Sequence, residues 1–266
     1  MLKRLAFIAA ATLIASPVFA QAPATPIPRT PDGKPDFSGV WQTGGISLSG
    51  REANVVSPAG QQPAGARGQG ARGGAPGGGR GAQAGGGLPT QPSLQPWAAE
   101  KVKTLTAKDD PTVHCFMPGV PRIVGMPMPF EIVQTPKQIV ILYEAFRAFR
   151  IIPIDGRKPV GESLPSYMGD SVGRWEGDTL VVDVTNFNGK IWGPGAMRIT
   201  SDALRVVERY THNGDTVSYE ATIDDPKVLT GPFVYRTVMR RPPETRVMEY
   251  ECLENNRDVP HLVGER

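Results

Sequence analysis

The chain has 266 residues, with 39% hydrophobic and 21% charged side chains and a formal net charge of +3. Two of those positive charges, Lys3 and Arg4, lie in a leader-like N-terminus, so the rest stands at +1. A chain so close to neutral exerts no strong pull on nucleic acid or anionic lipid, and neither is expected as a partner.

Residues 1–20 have the three zones of a secretory signal. Lys3 and Arg4 precede an apolar run from Leu5 to Ala15, and Val18-Phe19-Ala20 supplies modest side chains before a cut. Those eleven residues as a helix reach about 16 Å, half of a ~30 Å hydrocarbon core, so no stable membrane anchor is expected. The expectation is therefore a periplasmic or secreted protein. Residues 21–35 are rich in Pro, Ala and Thr, carry no apolar period and read as an extended lead-in. A single domain over 36–266 should follow, interrupted by an insertion at about 50–90.

Ordered structure should start at Asp36-Phe37-Ser38-Gly39-Val40-Trp41. Between Ala59 and Gly87, 13 of 29 residues are Gly, interspersed with Arg67, Arg72 and Arg80. Such a segment buries too little apolar surface to offset its ordering entropy and is expected to be disordered. A short helix is expected over Pro96 to Ala107, with Trp97, Val102 and Leu105 on its apolar side. Pro118 to Pro129 holds too much Pro and Gly for a helix and reads as an irregular edge segment. Glu131 to Val133 and Gln138 to Tyr143 read as strands, the second running on towards Ile152, with a turn at Asp155-Gly156.

The last hundred residues alternate most clearly. Val172 to Trp175 and Thr179 to Thr185 flank Glu176-Gly177-Asp178, and Ala203 to Thr211 and Thr216 to Asp224 flank a loop containing Asn213-Gly214. Val234 to Arg240 and Arg246 to Cys252 flank Pro242-Pro243-Glu244. Regular short strands joined by tight turns predict a mainly β chain folded as an antiparallel barrel or sandwich.

A two-residue Asn213-Gly214 turn would pair Thr211 with Thr216, Tyr210 with Val217, Glu208 with Tyr219, Val206 with Ala221 and Leu204 with Ile223. Glu208 then falls on the apolar face beside two tyrosines. A buried carboxylate must be protonated or paired. Two chemical readings follow for Glu208: acid–base catalysis with Tyr219, or a polar anchor for a ligand. In a third, Glu208 meets an inward arginine or the solvent at a rim. Arg236 and Glu144 raise the same question, since each shares a face with apolar residues. Tyr210, Phe233, Tyr235, Met248 and Tyr250 are the expected lining of a ligand cavity.

Cys115 and Cys252 are the two cysteines, and in an oxidising compartment a disulfide between them is expected. The rival, a catalytic thiol, lacks a base, because the adjacent His114 would point to the opposite face of a strand. His114, His212 and His261 are too scattered for a metal site, and no cofactor motif is present.

The strings Pro-Asp-Phe-Ser-Gly-Val-Trp (35–41), Pro-Phe-Glu-Ile-Val-Gln-Thr-Pro (129–136) and Ser-Tyr-Met-Gly-Asp-Ser-Val-Gly-Arg-Trp-Glu-Gly-Asp-Thr-Leu-Val-Val-Asp (166–183) carry a resemblance. So do Leu-Arg-Val-Val-Glu-Arg-Tyr (204–210), Tyr-Glu-Ala-Thr-Ile-Asp-Asp-Pro (219–226) and Glu-Tyr-Glu-Cys-Leu-Glu-Asn-Asn (249–256). Together they resemble a large family of uncharacterised exported bacterial proteins, many in acidobacteria and proteobacteria. Relatives often read Cys-His-Glu-Gly-Asn near the end, where this chain has Leu253 after Cys252. The start is similar to the Gly-x-Trp opening of lipocalin-like (calycin-type) barrels, which implies a barrel with a tryptophan at its base and an interior that takes small apolar ligands. The expectation is thus a small-molecule-binding barrel. A periplasmic hydrolase, lyase or isomerase, or an envelope assembly protein with a packed core, are the alternatives.

Overall fold

The computed structural model describes residues 26–44, 91–160 and 164–254. The secretory leader and the Gly-rich insertion expected from the sequence lie outside these residues. Nine antiparallel strands form one sheet: β1 (Gly39–Thr43), β2 (Phe130–Gln134), β3 (Gln138–Tyr143), β4 (Phe149–Pro153), β5 (Asp170–Glu176), β6 (Thr179–Thr185), β7 (Arg205–His212), β8 (Thr216–Asp224) and β9 (Phe233–Arg240). Sequential strands are neighbours, and β1 pairs with both β2 and β9, so the meander curls round on itself. The result is a nearly closed antiparallel β-barrel with, among the described residues, one short α-helix, α1 (Pro96–Thr104).

Period-2 alternation places one row of each strand inside. Trp41, Phe130, Ile141, Val182, Val206, Tyr219 and Met239 are among the fully buried interior residues. The outer wall has two characters. On β5 to β9 it carries ion pairs: Arg174 and Arg209 with Glu176, Arg205 with Asp183, and Arg236 with Glu220. On β2 to β4 it is apolar, with Val133, Leu142, Phe149 and Ile151 exposed.

Several expected elements differ. The strand from Gln138 does not run on to Ile152: it breaks at Glu144, turns through Ala145–Arg147 with Phe146 in the left-handed region, and returns as β4 paired against β3. Arg246 to Cys252 forms no strand, because Pro242 and Pro243 lack amide donors and end the β9 ladder there. Helix α1 buries Ala98 and leaves Trp97 53% exposed, its indole N–H bonded to the Lys227 carbonyl. Pro118 to Pro129 is not an exposed edge: Val120, Ile123 and Val124 are buried, and Arg122 makes a two-pronged bond to Asp110 at 2.8 and 2.5 Å. Cys115 and Cys252 form the expected disulfide, tying the chain after β9 to the segment before β2 across 137 positions.

β4 and β5 are the two edges of the sheet, and no ladder joins them, although they run beside each other. Gly173 on β5 makes that approach possible. A Cβ there would stand 2.8 Å from Cγ2 of Ile154 and 3.0 Å from Cγ2 of Ile152. The substitution Gly173→Val should therefore wedge this seam and cost about 1–3 kcal/mol in urea unfolding, as overpacked cores do. An unchanged unfolding midpoint would mean that β4 and β5 are not held together at this point.

Candidate functional site

The densest polar cluster of the barrel surrounds Glu208, which is 0% exposed. The β7–β8 register differs from the expected one by two positions. His212 pairs with Val217, and the loop closes through the Asn213 amide bonded to the Thr216 carbonyl at 2.8 Å. Tyr210 therefore faces Tyr219, and Glu208 faces Ala221. A shift of two leaves every side chain on its original face, so Glu208 still points inward.

Four donors converge on its carboxylate. Tyr219 and Tyr210 donate to Oε1 at 2.8 and 3.0 Å, and Arg150 on β4 donates to Oε1 at 3.2 Å and to Oε2 at 2.6 Å. Arg150 also donates to Ser171 Oγ on β5 at 2.9 Å. Both carboxylate oxygens are thereby satisfied, two of the four bonds coming from one guanidinium. Burial works against the Arg150 charge, yet Glu208 with the Tyr143 and Tyr210 phenols outweighs it, and the guanidinium is held well above its ordinary value. Burial, reinforced by the Glu208 charge, raises the Tyr210 and Tyr219 phenols well above the usual range, so both remain neutral donors. Burial also pushes Tyr143 up to about 12, with Arg150 opposing and Glu208 adding. The Tyr143 hydroxyl and Arg150 Nε, both buried, make no well-formed hydrogen bond among the described residues, although Tyr143 lies close enough to Arg150 to feel its guanidinium.

The remaining residues singled out in the sequence divide. Phe233 is buried at the start of β9, and Tyr235 reaches the tyrosine cluster, its ring 6.2 Å from that of Tyr219. Arg236 points outward and bonds Glu220 at 2.7 Å. Glu144 sits at the break after β3 and accepts the Met248 amide at 2.9 Å. Met248 is 62% exposed, and Tyr250 packs on Phe146 outside the barrel. The sequence pattern gives no sign of Arg150. It lies between Phe149 and Ile151, so alternation in the sequence casts the two apolar residues as core and the arginine as surface, the reverse of their actual orientation.

At one end of the barrel, His212 is buried between the rings of Phe37 (5.5 Å) and Trp41 (5.8 Å), and neither nitrogen makes a well-formed hydrogen bond among the described residues. Trp41 donates its indole N–H to the Phe37 carbonyl at 2.7 Å. His114 is exposed and contacts the Lys108 carbonyl at 2.7 Å, and His261 lies outside the described residues. Among the described residues no group of three or more His, Cys, Asp or Glu could hold a metal ion, and no helix is long and apolar enough to cross a membrane.

Fold and cluster together define a small up-and-down β-barrel braced internally by a buried ion pair. No protein-family model matches the chain, and no curated protein does. Among solved structures the chain is similar to a point mutant of the fluorescent protein UnaG, at 14% identity over 44% of this chain and 72% of that one, with a TM-score of 0.28. The barrel assignment rests on the strand ladders themselves.

Two outcomes follow. Arg150→Met should cost about 3–5 kcal/mol by stranding a buried carboxylate, whereas the double variant Arg150→Met/Glu208→Gln should cost less than Arg150→Met alone, because Gln still accepts from both tyrosines. Denaturant unfolding of the full cycle measures this, and strictly additive losses would mean the two side chains are uncoupled. Burial, then Arg241, lowers the His212 pKa, against the opposing pull of the Asp36 backbone and the charges of Asp36 and Asp215. A histidine with a depressed folded pKa stabilises above its unfolded value and loses that contribution as pH falls. Stability should therefore decline below about pH 6.5, and His212→Phe should flatten that decline in a pH series of melting temperatures.

Proposed function

We propose that this protein is exported and binds a small, partly apolar molecule inside the barrel, acting as a carrier or binding protein. The observation that carries the reading is the seam. Every other neighbouring strand pair is joined by a backbone ladder, whereas β4 and β5 are joined by side chains alone. Opening the seam breaks no ladder, and it exposes the tyrosine cluster beside the Tyr143 hydroxyl and Arg150 Nε. Because Glu208 already neutralises Arg150, the polar group best received there is neutral, a hydroxyl or carbonyl on an apolar body. Export is supported by the leader-like first 20 residues and by a disulfide, which persists in oxidising compartments.

The acid–base reading of Glu208 and Tyr219 fits this geometry less well, since bonds from Arg150, Tyr210 and Tyr219 take up the carboxylate. The packed-core reading has one observation in its favour: Glu208, Tyr210 and Tyr219 are almost wholly buried. Native mass spectrometry of protein from its own host should separate the two by finding a co-purified small molecule. Rebinding of that molecule to stripped protein should weaken at least about fivefold in Tyr143→Phe, a change that should leave the unfolding midpoint nearly level because the lost hydroxyl makes no well-formed hydrogen bond. A protein that carries no molecule and takes up no lipophilic probe is a packed scaffold.

A further inference from the structure

On the outer wall, where β9 ends, a groove of about 590 Å³ opens, lined by Val40, Arg241, Pro242, Glu244, Thr245, Arg246 and Met248. That volume falls within the roughly 300–1,000 Å³ of small-molecule sites. Pro242 and Pro243 create it. They stop the β9 ladder beside β1, so residues 241–248 leave the sheet as a strap.

The strap is fixed at both ends. At one end the Arg241 guanidinium lies over the Trp41 ring, 4.4 Å from its centroid, and donates to the Ser38 carbonyl at 3.1 Å. Gly39, with φ +113°, leaves room for it, since a Cβ there would stand 2.5 Å from Arg241 Nη1. At the other end the Met248 amide is held by Glu144, and the disulfide at Cys252 lies just beyond. A groove between anchored walls loses little entropy when a ligand enters.

Its chemistry is that of an anion site with an apolar floor. Neither Arg241 nor Arg246 forms an ion pair among the described residues, and Glu244, the one acid of the lining, leaves an excess of one positive charge. Val40 and Met248 add apolar surface. We infer that this groove is a second binding site, separate from the barrel interior, for a small organic monoanion: a carboxylate on a short apolar body. Arg246 supplies the charge, Arg241 the fixed hydrogen-bonding wall, and Val40 with Met248 the apolar contact.

Calorimetric titration of the full chain with octanoate, octanol and inorganic phosphate tests this. Saturable binding of octanoate, at least about fivefold tighter than octanol or phosphate and weakened at least about fivefold by Arg246→Gln, is the expected result. Arg246 touches neither the barrel interior nor Trp41, so the variant should fold as the parent does, with an unchanged melting temperature as the check. The site is overturned if octanoate does not bind saturably, if octanol or phosphate binds as well, or if Arg246→Gln binds octanoate normally. Octanoate affinity that follows Tyr143→Phe and ignores Arg246→Gln also overturns it, and assigns the molecule to the interior instead. Failure of the groove therefore leaves the interior reading standing, and the reverse also holds.

Discussion

Arg150 and Glu208 come from β4 and β7, strands that are far apart in the sheet order and share no backbone bond, and they meet in the middle of the barrel. Burying either charge alone would cost several kcal/mol. Each is tolerable only because the other is there, and because Tyr210, Tyr219 and Ser171 complete the hydrogen bonding. The pair does what no ladder does for β4 and β5: through Ser171 it ties one sheet edge to the other. A barrel made only of apolar interior residues could pack with the seam shifted or open. Fixed donors and acceptors make one arrangement much better than its neighbours, which is how a costly polar cluster specifies a structure.

The same device limits the chemistry available inside. The Glu208 oxygens are occupied and the phenols beside it are held neutral, so the cluster is better at holding than at moving protons. The Tyr143 hydroxyl and one guanidine N–H of Arg150 make no well-formed hydrogen bond, which is what the proposed interior site would use. The outer groove has the opposite balance, with unpaired cationic side chains beside apolar ones and access to solvent. Inside, the charges of Arg150 and Glu208 cancel. Outside, charge is available and the walls are pinned. These two environments would select different ligands, which is why the proposals stand apart.

The hairpins of the C-terminal half were legible because alternation and turn residues agreed there. The inward placement of Glu208 was legible for a more robust reason: the register error came to two residues, and side-chain direction repeats every two. Elsewhere local pattern misled. On β4 the apolar residues face outward and the arginine inward, so a parity argument drawn from hydrophobicity reads the strand upside down. Arg236 beside Val234 and Val238 looked internal for the same reason, and it is the partner of Glu220 on the outside. Met248 and Tyr250 looked like strand residues, but the preceding prolines had already ended the sheet.

From the amino-acid order alone came the mainly β character, the choice of barrel or sandwich, the disulfide and one inward-facing acid, since each depends on residue spacing along a short stretch or on the scarcity of a residue type; the barrel itself came from the resemblance of the Gly-x-Trp start. The counter-ion of that acid, the unbonded seam and the groove at the end of β9 were decided only by tertiary structure. Each depends on how strands distant in sequence lie against one another. The strand alternation that makes a sheet predictable cannot say which of its two faces will be covered.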